Sequence, residues 1–354
     1  MINSLYIEND VANHPRVLEI IDRFKGIRIT PCNRYTEIFN RKAQSFRLQK
    51  QKPSLILAKK HDNFLCRPPD GYHIGAQNNY YFSHMLNCIY DCRYCFLQGM
   101  YHSAHYVLFV NYEDFQSEIE SSILREESGP VHFFSGYDCD SLAFEPVSGF
   151  VESFSPLFRK YPQALLELRT KSTQVRSLLG SEAIANVVVA FSLMPASSAE
   201  LLEHRAPSLE RRLESIRKLQ DHGWNIGLRF DPLVYQSDFR QLYSEFFDSV
   251  FGIIDQERLH SVSLGSFRLP KQFFSRLSRM YPEERLFASP LEEKNGMISY
   301  RAELEKEMTD YCMEQVLGYT PASKLFPCSC TGYFKSMTRR APMIPSAFPL
   351  GRYR

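Results

Sequence analysis

The sequence predicts an α/β protein, a partial (β/α)6 barrel with small N-terminal and C-terminal extensions, on three observations. From about residue 80, six short apolar runs alternate with longer amphipathic ones, the pattern of strands joined by helices. The runs are near-continuous rather than alternating, as strands of a parallel sheet covered by helices are. Polar or special residues gather where the runs end, at Ser135, Gly136, Lys171, Ser192, Arg229, Asp231 and Ser266, and barrels build active sites on that face. A doubly wound open sheet gives similar alternation, so the layout stays open at this point.

In chain order, residues 1–78 form an N-terminal α/β extension with one strand, "SLYIE", one helix near 15–25 and a basic segment. The barrel spans 79–282. Its strands are expected at 79–85, 130–136, 165–171, 186–194, 225–234 and 259–267, its helices at 112–126, 148–160, 173–180, 207–222 and 238–256. Residues 283–320 contribute a loop and an amphipathic helix near 300–318. The stretch 321–354 holds five prolines and no period, which predicts a flexible tail.

The chain has 354 residues, 44% apolar content and a net charge of +2, so one large core is expected and no global field attracts polyanions. No secretory signal or membrane span is apparent, so the protein is expected in the cytoplasm without a membrane partner. Charge is uneven, however. Residues 41–60 carry seven Lys or Arg and no acid. Arg41, Lys42, Arg47, Lys50 and Lys52, with Lys59 and Lys60 beyond them, are therefore candidate phosphate contacts for DNA, against the plain alternative of a solvated face.

Nine cysteines in a reducing compartment point to metal or redox chemistry rather than disulfides. Three of them, Cys88, Cys92 and Cys95, form CxxxCxxC directly after the first strand. A structural zinc would need a fourth ligand such as His84 or Cys66, and a zinc-stabilised nucleic-acid-binding protein is the reading that follows from it. An iron–sulfur cube bound by three thiolates leaves one iron open for a cofactor. S-adenosylmethionine can chelate such an iron and yield a 5'-deoxyadenosyl radical. Tyr94, Phe96, Leu97 and Met100 would shield the cluster and pack on the adenine.

Beyond the cysteine loop, "FVNYEDF" (109–115), "LRTKSTQVRSLL" (168–179), "FSLMPASSAELLEHRAPSLERRLESIRKLQDHGWNIGLRFDPLVY" (191–235) and "FRLPKQFFSRLSRMYPEERL" (267–286) resemble, in the same order, segments of the spore photoproduct lyase family of radical S-adenosylmethionine enzymes. The resemblance covers the chain to about residue 318. It implies a barrel of the radical S-adenosylmethionine type, a [4Fe-4S] cluster on Cys88, Cys92 and Cys95, and carbon–carbon bond cleavage that repairs a thymine photoproduct in DNA. An external one-electron reductant is implied too. Lys171 and Ser192 fall where the family contacts S-adenosylmethionine, Tyr94 and Phe96 flank the adenine site, and Gly136 lies beside the cofactor.

Three departures accompany the resemblance. Alignment on Asp140 puts Tyr137 where the family has its hydrogen-donating cysteine, and Cys139 two residues on, so either is a candidate donor. Phe96 replaces the tyrosine of the family's hydrogen relay. The segment that holds the lesion reads "EKNGMISY", with Lys294 and Asn295 in place of arginine and tyrosine. These departures keep a second reading open, a radical S-adenosylmethionine enzyme for another nucleic-acid lesion or a small metabolite.

Overall fold

The computed structural model describes residues 2–69, 72–126 and 129–328. Six parallel strands, Asn78–Tyr81, Val131–Ser135, Ala164–Thr170, Val187–Ser192, Asn225–Leu233 and Leu259–Ser266, pair in sequential order. Each strand is added beside its predecessor. A doubly wound sheet must instead reverse direction at a switch point, so the sequential order selects the partial barrel. The connecting helices Tyr112–Arg125, Phe150–Lys160, Arg176–Leu179, Leu209–Asp221 and Phe239–Phe251 lie within a few residues of their expected positions.

The strand interiors are buried because their side chains alternate between a helix-facing layer and the barrel lumen. Leu166 and Leu168 belong to the main apolar core with Phe133, Val187, Val189 and Leu228. In the lumen, Glu167 and Arg229, both fully buried, pair through Nη2–Oε2 at 2.6 Å and Nε–Oε1 at 3.2 Å. Arg169 reaches the same carboxylate at 3.1 Å. Burial opposes ionisation of Glu167, but Arg229 and Arg169 prevail and hold its carboxyl down at about 2.

The N-terminal extension is larger than "SLYIE" suggests. Ser4–Glu8 lies between Arg28–Cys32 and Leu55–Ala58, and the sheet continues to Tyr106–Phe109 and Met85–Leu86, the last antiparallel. Strands from both sides of residue 78 thus build one sheet. In the region read as a loop after residue 282, Leu291–Lys294 and Met297–Tyr300 form a hairpin with Arg268–Pro270 as third strand. Asn295 and Gly296 turn it at φ 50° and 78°, as an Asn-Gly type I′ turn does.

The expected tail begins as an ordered edge. Leu325 bridges Val262 in parallel, and the N–H groups of Phe326 and Cys328 donate to Val262 O at 2.8 Å and Leu264 O at 2.9 Å. Cys330 and the rest of 329–354 lie outside the described residues, as does the flexibility expected there. Among the described residues no helix is long and apolar enough to cross a membrane.

Two histidines in this core make stability sensitive to acid. His84 and His132 are buried, and burial pulls them down from 6.5 to about 3 and about 4. Both stay neutral when folded, so stability is full above the unfolded value and is lost as pH falls below it toward the folded values. At pH 5.5 each withheld proton costs about 1.4 kcal/mol. The urea midpoint is expected to drop between pH 6.5 and 5.5, with a shallower drop in His84→Phe. An unchanged slope in that variant would contradict the assignment.

Candidate active site

The cysteine loop leaves the first barrel strand and is pinned at both ends by the N-terminal sheet, because Met85–Leu86 pairs with Tyr106–Phe109. Asn87, at φ 71°, donates through its side-chain amide to Ser103 O at 2.7 Å and His105 O at 3.0 Å. Asp91–Cys92 then pairs antiparallel with Glu203–His204. Cys95 precedes the helix Phe96–Met100. Gly99 lets this helix touch Lys271–Met280, since a Cβ there would overlap Phe273.

Side chains from distant segments brace the loop. Gln98 Nε2 donates to Asp91 Oδ1 at 3.1 Å and Cys92 O at 2.7 Å, and its Oε1 accepts from the Tyr281 hydroxyl at 2.7 Å. The Lys50 ammonium donates to Cys88 O and Tyr90 O, both at 2.8 Å. Burial pulls its pKa down, while Cys88, Asp91 and Cys95 pull it up.

Cys88, Cys92 and Cys95 line one cleft at the C-terminal mouth of the barrel, about 1030 Å³ with its open mouth, together with Phe96, Gly136, Tyr137, Cys139, Lys171 and Ser192. Asp140 and Asp231 line it as well. Asp140 is fixed by four donors, the N–H groups of Leu142, Ala143 and Lys171 and the Thr170 hydroxyl. Gly136 turns at φ 75°, where a Cβ would overlap the Ser141 hydroxyl; only glycine fits that turn.

Tyr94 stands behind this lining. Its hydroxyl donates to Glu203, which also pairs with Arg212, so the ring is held beneath Lys171, whose ammonium lies 5.5 Å above it. Burial works against the Lys171 charge, but Glu203, 3.8 Å away, and Cys92 keep its pKa above the ordinary value. Phe96 and Tyr137 rings pack at 5.7 Å, and Tyr137 lies 4.4 Å from Tyr81. Cys139 sits in the main core, with the Met85 N–H directed at its sulfur.

The candidate phosphate contacts divide. Lys42 and Lys52 are exposed. Arg41 is exposed too and donates to Glu37 O, while Arg47 donates to Met280 O and pairs with Glu283. Lys50 departs from the expectation, because the short helix Phe46–Gln51 turns it inward to the cysteine loop, where it is 4% exposed. Lys294 is half-buried and engaged by Tyr300 O, Glu305 and Glu292.

The donor set fits an iron–sulfur cube better than zinc. His84 stacks on Phe150 at 4.0 Å, and Cys66 bridges Tyr81; neither lines the cleft. Among the described residues no group of three or more His, Cys, Asp or Glu side chains converges on a single ion. Three thiols of one loop sharing a cleft suit a cluster that takes one thiolate per iron corner, with Cys139 from another segment lining the same cleft.

Comparison with known proteins is consistent with this geometry. A family model described as "Spore photoproduct lyase" matches residues 2–322. The spore photoproduct lyase of Clostridium acetobutylicum is 22% identical over 292 residues, covering 81% of this chain and 84% of that protein. That of Bacillus subtilis is 20% identical over 290 residues, covering 80% and 83%. Among solved structures, a spore photoproduct lyase double mutant with bound AdoMet and dinucleoside spore photoproduct superposes with a TM-score of 0.80 at 18% identity, covering 94% of this chain and 99% of that one.

Proposed function

We infer the activity from one premise: this chain belongs to the spore photoproduct lyase family. We propose that it is a radical S-adenosylmethionine lyase that repairs spore photoproduct in DNA. The observation that carries this reading is the single cleft shared by Cys88, Cys92, Cys95, Lys171 and Ser192.

In this reading the three thiolates hold three corners of a [4Fe-4S] cluster. When bound, the cluster and S-adenosylmethionine supply a 5'-deoxyadenosyl radical that takes hydrogen from an unactivated C–H bond. Lys171, which lines the cleft with its charge favoured by Glu203, would pair with the carboxylate of S-adenosylmethionine, and Ser192 would hydrogen-bond beside it. Lys171→Met should weaken S-adenosylmethionine binding roughly 10- to 100-fold, the loss of one charge-assisted hydrogen bond. Equilibrium dialysis under anaerobic conditions reads it, with iron content as control; unaltered affinity would rule this role out.

Cys139 gives its thiol hydrogen to the product radical, and Tyr137 shapes the cleft beside it. The thiyl radical left behind returns to the thiol with one electron from the external reductant and a proton from water. Repair in deuterated water should place deuterium in the product with the parent and with Tyr137→Phe, and much less with Cys139→Ala. Equal incorporation in all three would remove Cys139 from the path. Arg41, Lys42, Arg47 and Lys52 hold DNA phosphates, and an external reductant, acting in the cytoplasm, supplies the electron.

The deciding experiment supplies anaerobically reconstituted, reduced protein with S-adenosylmethionine and dinucleoside spore photoproduct. Thymine products are expected. A protein that cleaves S-adenosylmethionine yet leaves the lesion intact would favour the second reading, another nucleic-acid lesion or a small metabolite. Phe96 at the relay position and Lys294, engaged by Glu305 and Glu292, are the observations behind that alternative.

A further inference from the structure

We propose that Lys50 is a positioning residue that raises the reduction potential of the cluster site, an inference resting on the cluster reading above. Lys50 lines the same cleft as the three cysteines although it lies far from them in sequence. It is 4% exposed, and its ammonium donates at 2.8 Å to two carbonyls of the loop, one of them that of Cys88 itself. Among the described residues no carboxylate lies within ion-pair distance of it. Asp91, the nearest acidic influence, is engaged by Arg93 at 3.0 Å and by Gln98. Arg205, whose guanidinium donates to Lys50 O at 3.0 Å, adds a second cation on the same side.

A buried cation without its own counter-ion is costly, and proteins keep one where it meets another charge. Reduction of an iron–sulfur cluster adds one negative charge, and cluster potentials follow net charge, hydrogen bonding and solvent exposure. Lys50 supplies the first of these, a positive charge held 4% exposed beside the cysteine loop, where salt screens it little. A structural brace would need only the two hydrogen bonds. A potential-setting residue needs the positive charge as well.

The test is a one-electron redox titration, followed by electron paramagnetic resonance, of the reconstituted parent, Lys50→Arg, Lys50→Gln and Lys50→Met. At a fixed poise the Gln and Met variants should hold about tenfold less reduced cluster than the parent, a shift of about 59 mV for a one-electron couple. Lys50→Arg should stay within about threefold, and the shift should survive 1 M salt. Unshifted potentials in Gln and Met variants with full iron and sulfide would overturn the inference and leave the lyase reading intact. Loss of the cluster from Lys50→Gln, which keeps a hydrogen-bond donor, would also overturn the inference, because the residue would then serve assembly and not potential. A parent protein that binds no cluster would instead overturn the lyase reading itself.

Discussion

Cys92→Ala is expected to abolish cluster assembly and 5'-deoxyadenosine formation while leaving the protein folded. The residue is 6% exposed and lies in the short pairing between Asp91–Cys92 and Glu203–His204. That pairing runs through backbone groups, which alanine retains. Loss of one small buried sulfur costs about 1 kcal/mol, within the usual range for point changes. A cube needs each of its three thiolates to stay anchored. Iron and sulfide analysis with circular dichroism reads both halves. A variant with full iron and sulfide would refute the ligand assignment.

The largest loss of stability is expected elsewhere, in the barrel lumen. Arg229→Met removes the partner of a fully buried Glu167 carboxylate, together with donors to Ser261 O and Oγ. Arg169 still reaches the carboxylate at 3.1 Å, so the loss should lie at the lower end of the about 3–5 kcal/mol that breaking a buried pair costs. Urea unfolding at pH 7 should show that loss. The double replacement Glu167→Leu with Arg229→Met should recover only part of it, since Arg169 then loses the carboxylate it shares with Arg229. If the single variant unfolds at the parental midpoint, the ion pair does not organise the lumen. Acid should act through the same pair: a depressed carboxyl stabilises above its unfolded value and loses that contribution as pH falls from 4.5 toward about 2.

The barrel strands were legible because burial on both faces leaves unbroken apolar runs such as "NVVVAFS", and the cysteine spacing was legible because it is local. Arg28–Cys32 and Leu55–Ala58 were not: the first is largely exposed and contains a proline, and the second is only four residues long. The loop's braces were hidden for another reason. Lys50, Glu203 and Tyr281 meet Tyr90, Tyr94 and Gln98 across 40, 109 and 183 residues, and a single sequence carries no sign of such distances. Lys50 read as one more charge of a basic run, and only the helix phase that turns it inward separates it from Arg47. The hairpin at 291–300 did carry its signal, the Asn-Gly pair, which the expected loop passed over.

Because the two ends of the cysteine segment are hydrogen-bonded to each other through Met85↔Leu108 and Leu86↔Val107, backbone pairing alone closes the segment into a ring, and no metal–ligand bond is needed to bring its ends together. Its closure entropy is settled when the polypeptide folds. Metallation should then resemble filling a preorganised socket, unlike a zinc finger that acquires its shape from the ion.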